Sequence, residues 1–148
     1  MRAFVVVFDG ALSGVAAGVA MESVRHTLAM HAEVDSHTVA VRTSVSQIAS
    51  ELERALGQRL TAVIAGVADA KAIGKWARGE RAPRPDSEQR LRDAYYVVTL
   101  LGQAESPSTI RAWLCGMNPE LDDRAPALVL AEDAPRVLQA ARTFLAHG

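Results

Sequence analysis

Lys71, Lys75 and Arg78 are the residues of this chain whose type and placing most invite chemistry with a partner. They lie in Asp69-Ala70-Lys71-Ala72-Ile73-Gly74-Lys75-Trp76-Ala77-Arg78, where Ala72, Ile73 and Trp76 recur at helical spacing on one side. The cations fall elsewhere on that helix, free to meet solvent or phosphate. Asp69 is placed to cap the helix through its carboxylate. Arg81 and Arg84 follow in Gly79-Glu-Arg-Ala-Pro-Arg-Pro85, a loop stiffened by two prolines. The chemistry in view is electrostatic: ammonium and guanidinium groups against a phosphate backbone.

The elements that must position these groups are legible around them. Leu60, Ile64 and Ala65 make one apolar face of a preceding helix, Gly66 breaks it, and Val67 plugs the corner. Two short helices about a Gly turn, the second basic, are the layout of a helix-turn-helix whose second helix enters the major groove of DNA. Asp69, Ala70, Lys71, Gly74, Lys75, Arg78, Arg81 and Arg84 are therefore the candidate DNA-binding residues. Lys71 and Lys75 suit phosphates more than base edges. Gly74 costs about 1 kcal/mol relative to Ala inside a helix.

Whole-chain charge hides this footprint, because the formal net charge is -1. From Arg54 to Arg92 nine Lys/Arg face four Asp/Glu, an excess of five positive charges. Residues 1–53 and 93–148 each carry an excess of three negative charges. A basic middle between acidic flanks fits a nucleic-acid partner, and also a merely solvated face.

Farther out, Ser44-x-x-Gln47 reads as a capping box, followed by Val45, Ile48, Ala49, Leu52 and Leu56 at helical spacing and Gly57 as C-cap. Asp86 is expected to open a helix with Leu91, Ala94, Tyr95, Val98 and Leu101 on one face, closed by Gly102. These pieces make a four-helix module over 43–103. Beyond it, Ser106-Pro107 starts a helix with Ile110, Trp113 and Leu114 as its stripe and Gly116 as its stop. Asn118-Pro119 is a turn, Ala127 to Leu130 a short apolar helix, and Asp133 the cap of a last helix carrying Val137, Leu138, Ala141, Phe144 and Leu145. Residues 104–148 thus form a small helical domain. Before the module, Arg2 to Phe8 and Val39 to Thr43 read as strands, and Val15 to Met30 as a helix. Residues 1–42 are then a short α/β extension, either an accessory layer or arm or a dimerisation element. The fold class expected is mainly α.

Composition narrows the function. Hydrophobic residues make up 49% of the 148, with 5% aromatic, which suits compact helical packing. No apolar run approaches the roughly 20 residues of a membrane span. Asp9 interrupts the N-terminal apolar stretch and speaks against a secretory signal. A single cysteine, Cys115, beside Trp113 and Leu114, is expected as a buried inert thiol in a reducing cytoplasm. His26, His31, His37 and His147 lack metal-ligand spacing, adjacent Asp122 and Asp123 diverge, and Gly10, Gly14 and Gly18 lack the spacing of a dinucleotide fingerprint. The expectation is a protein that is not an enzyme, with no cofactor and no metal.

The C-terminal residues carry a resemblance. Ala112-Trp113-Leu114, Asn118-Pro119-x-Leu121, Ala125-Pro126-x-x-Val129-Leu130 and the stretch Val137 to Gly148 resemble the toxin-binding domain of the Xre/MbcA/ParS antitoxin family. Ala72-Ile73-x-Lys75-Trp76-x-x-Gly79 and the proline loop are similar to the Xre-type DNA-binding domain of the same proteins. The resemblance covers residues 43–148. It implies an antitoxin that blocks a RES-type toxin, which attacks NAD⁺, or the related ParT type, and that represses its own operon. By position it implies a partner-binding set of Trp113, Leu114, Asn118, Leu121, Pro126, Phe144, His147 and Gly148, with Trp113 and Leu114 in the core of that fold. Asp122-Asp123-Arg124-Ala125 stands where many members carry glycine, which leaves the shape of that loop open. The partners implied are double-stranded operator DNA, a cognate toxin, and further copies in a homo-dimer or larger hetero-oligomer, since half-site spacing asks for two modules. The alternative is an orphan helix-turn-helix regulator whose C-terminal domain serves dimerisation or another partner.

Overall fold

The computed structural model describes Arg25, Thr27, Met30, His31 and residues 43–147. The strands expected at Arg2–Phe8 and, apart from Thr43, at Val39–Thr43 lie outside the described residues, as do most of Val15–Met30 and Gly148. Arg25, Thr27, Met30 and His31 themselves are helical.

The described residues are mainly helical. They form α1 (Val45–Leu56), α2 (Gln58–Ala65), α3 (Lys71–Ala77), α4 (Pro85–Leu101), α5 (Pro107–Cys115), a 3-10 turn (Pro119–Leu121), α6 (Pro126–Val129) and α7 (Ala134–His147). No helix among the described residues is long and apolar enough to cross a membrane.

Local chemistry sets most of these boundaries. Ser44 Oγ accepts from Gln47 N at 3.3 Å and starts α1. The expected capping box is only half made, because Gln47 Nε2 donates forward to Glu51 Oε1 at 3.2 Å instead of back to the cap. Gly57, at φ 85°, separates α1 from α2. Helix α4 opens one residue before the expected Asp86, because Pro85 already has the φ of a first helical residue and no N–H to satisfy. The same argument moves the start of α6 to Pro126. Ser106 Oγ accepts from Thr109 N at 3.2 Å, and Asp133 Oδ1 from Arg136 N at 3.1 Å, so both expected caps form.

Helix α4 is the centre of the fold. It packs against α1, α2 and α7. Its buried set includes Val97 and Leu100 beside the expected Leu91, Ala94, Tyr95 and Leu101, while Val98 is only half-buried. One core runs from Ile48 and Leu52 through Ile64, Ile73, Leu91 and Leu101 to Leu114, Leu121 and Val137. The boundary expected between 103 and 104 lies in the turn that joins α4 to α5, and the core is continuous across it. Arg111 Nη1 adds a polar tie, donating to Ala55 O near the end of α1 at 2.6 Å.

The few polar groups in this core are partnered. Thr61 Oγ1 donates to Gly57 O at 2.8 Å, and Ser87 Oγ to Ala65 O at 3.0 Å, each answering a carbonyl at a helix end. Tyr95 Oη donates to Glu51 Oε2 at 2.6 Å. Burial first, and the neighbouring carboxylate second, push the Tyr95 phenol up to about 12.

Candidate nucleic-acid interface

Helix α2 ends at Gly66, whose φ of 72° is left-handed. Gly66 N donates to Val63 O and Val67 N to Ala62 O, at 3.1 and 3.0 Å. Such a pair of bonds is a Schellman closure, and it leaves Val67 against the core as the corner plug. The Arg90 guanidinium from α4 lies directly against Gly66, where a β-carbon would collide with it. A side chain at this position would be strained by the backbone angle and would displace the end of Arg90.

Asp69 Oδ1 accepts from Lys71 N at 2.9 Å. The expected carboxylate cap is present, but it acts from one residue before the N-cap position, which Ala70 occupies half-buried. Ile73 and Trp76 hold α3 to the core, with Trp76 5% exposed. Lys71, Lys75 and Arg78, at i, i+4 and i+7, are all exposed. Helix α3 ends in a second Schellman closure at Gly79, φ 70°, where Gly79 N donates to Trp76 O and Glu80 N to Lys75 O, both at 3.0 Å. Past it, Arg81 and Arg84 are exposed and Pro83 is buried, so the loop is pinned at its middle.

Two of the expected contact residues need correction. Gly74 is buried. A β-carbon there would come 3.1 Å from both Gln58 Nε2 and Arg78 Nη1, so the glycine lets those side chains close over α3 instead of offering a surface. Arg78 is not free. Its Nε donates to Glu80 Oε1 at 2.6 Å and its Nη2 to Glu80 Oε2 at 3.3 Å. Lys71, Lys75, Arg81 and Arg84 have no ion-pair partner among the described residues. Sequence reasoning missed Gln58 and Glu53, which hydrogen-bond to each other beside this cluster. Gln58 and Gly74 lie 16 residues apart, and only the packing of α2 on α3 brings them together.

The C-terminal set divides differently. Leu114, Leu121 and Pro126 are fully buried, so they shape the surface without forming it. Trp113 and Phe144 are half-buried and packed together, ring centroids 6.0 Å apart and tilted by 42°. Asn118 Oδ1 accepts from Glu120 N at 3.0 Å and caps the 3-10 turn, and Asn118 N donates to Arg124 O at 3.2 Å. His147 is exposed, its Nδ1 2.7 Å from Thr143 O. Cys115, expected to be buried, is exposed. The inward face of α5 is Ile110 and Leu114, and the next residue is turned about 100° away from it. Among the described residues no group of His, Cys, Asp and Glu is placed to hold a metal ion.

No protein-family model, no curated protein and no solved structure matches this chain.

Proposed function

We propose that α2 and α3 form a helix-turn-helix that binds double-stranded DNA. We further propose that the chain is the antitoxin of a type II toxin–antitoxin pair in the cytoplasm. In this reading residues 43–103 bind the operator of the protein's own operon, as a dimer or larger complex. Residues 104–148 cover a RES-type or related toxin that attacks NAD⁺, with Trp113, Asn118, Phe144 and His147 at or near the contact surface.

The observation that carries the DNA half is the display on α3. Ile73 and Trp76 anchor the helix by one side while Lys71 and Lys75 stand exposed, with no ion-pair partner among the described residues. The toxin half rests on the resemblance over residues 43–148. Replacing Lys71, Lys75 and Arg78 together by Ala is expected to weaken binding to DNA from upstream of its own gene by about 10²-fold or more, and to flatten its salt dependence. A band shift unchanged by the triple substitution sinks the DNA assignment. For the toxin, tagged full-length protein is used to recover partners from native lysate. A RES-type or ADP-ribosyltransferase-like protein, identified by mass spectrometry and lost on deleting 105–148, supports the antitoxin reading. Recovery of DNA alone, released by salt, favours the orphan regulator.

A further inference from the structure

We propose that Glu80 is a built-in competitor for the phosphate that Arg78 is placed to bind, so that this carboxylate holds down the protein's affinity for DNA. The inference rests on the DNA reading above. Gly79 turns the chain back at the end of α3, and Glu80 N bonds to Lys75 O at 3.0 Å. That reversal lays the Glu80 side chain beside the last turn of α3, where both of its oxygens meet the Arg78 fork, at 2.6 and 3.3 Å. A carboxylate and a phosphate offer a guanidinium the same pair of acceptor oxygens. Glu80 thus occupies one edge of the Arg78 guanidinium and offsets its charge, which leaves less of both for a phosphate. Both side chains are more than half exposed, at 61% and 52%, so an incoming polyanion reaches them.

The cost of binding follows from this geometry. Either Glu80 gives up Arg78, or its negative charge stays beside the phosphates that Lys71 and Lys75 attract. Phosphates carry no sequence information, so the penalty falls equally on all duplexes.

The test is fluorescence anisotropy of the full chain with a random-sequence duplex of about 30 base pairs, titrated from about 50 to about 200 mM salt. Glu80→Gln keeps the size of the side chain and removes its charge. It is expected to bind about threefold to tenfold more tightly and to steepen the logarithmic salt slope by about 0.9, the signature of one more phosphate neutralised. Arg78→Ala is expected to weaken binding in the wild-type background, because it leaves the Glu80 charge unneutralised, and to cancel the gain in the Glu80→Gln background. A Glu80→Gln variant with unchanged circular dichroism that binds no tighter than wild type overturns this proposal and leaves the DNA reading standing. Weaker binding does the same, by making Glu80 an orienting group for Arg78. Absence of binding by both wild type and variant overturns the two together.

Discussion

The stretch from Gly66 to Pro85 and the stretch from Asn118 to Arg136 combine turns and charge to opposite ends. Both turn sharply through left-handed backbone and both place charges in exposed loops. In the first, glycine takes the left-handed positions, and Lys71, Lys75, Arg81 and Arg84 are left without internal partners among the described residues. In the second, Asp122 and Asp123 hold φ of 58° and 57°, and the arginines are committed. Arg124 reaches both Glu132 oxygens at 2.7 and 2.8 Å, and Arg136 bridges Asp122 Oδ2 at 2.8 Å and Glu120 O at 2.9 Å. Arginines closed on their own loop stiffen it and leave a surplus of acid outside. Lysines left open on a helix keep their charge exposed to solvent. Charge counts alone do not separate these cases; pairing does.

The two tryptophans offer the strongest way to break this comparison, one standing in the basic region and the other in α5, just ahead of the acidic loop. Trp76→Ala is expected to cost about 3–5 kcal/mol in denaturant unfolding, because the ring is almost wholly enclosed in the core. Trp113→Ala is expected to cost about half as much, since its ring is half-buried against Phe144. Equal losses mean that the C-terminal helices are packed as tightly as the basic module.

The left-handed turns sharpen the contrast at smaller scale. Gly66→Ala is expected to destabilise by roughly 1–2 kcal/mol through backbone strain alone, with a further loss as Arg90 is displaced. Asp123→Gly runs the other way. It relieves a left-handed non-glycine residue and is expected to add up to about 1 kcal/mol. Thermal unfolding of the two variants side by side reads both signs.

The smallest effect is expected where charges are already paired at the surface. Replacing Arg124 and Arg136 together by Gln lowers the unfolding midpoint slightly, and added salt erases the difference. The same arginines hold the Glu132 and Asp122 carboxyls below their ordinary values of 4.5 and 3.8. A carboxyl lowered by folding contributes its stability in full above the ordinary value and loses it as pH falls through the lowered one. The wild type therefore sheds this increment below about pH 4.5, while the double variant shows a flatter acid limb. DNA binding by the double variant is expected to keep the wild-type salt slope, because these arginines lie outside the proposed interface on α3 and are already paired.

Much of the helical framework between 43 and 147 is legible in the sequence. Gly57, Gly66, Gly79 and Gly116 stop helices where their types suggest, and Ser44, Ser106 and Asp133 start them. Other features were not legible. Val97 and Leu100 are buried because α4 is covered on more than one side, which a single-face reading of its period cannot anticipate. Cys115 looked apolar by company and is exposed by angle. Gly74 looked like a weak point in a recognition helix and is a packing site, since Gln58 and Arg78 close over it.

By itself the chain's sequence determined where helices begin and end and where positive charge collects, because caps, glycines and side-chain period act over a few residues. Tertiary structure alone decided which cations remain available. Glu80 takes Arg78 across the Gly79 reversal, Glu132 takes Arg124 and Asp122 takes Arg136, while Lys71 and Lys75 form no ion pair among the described residues. Pairing of charges depends on distances of a few ångströms between groups that turns and packing bring together, and no count along the chain contains those distances.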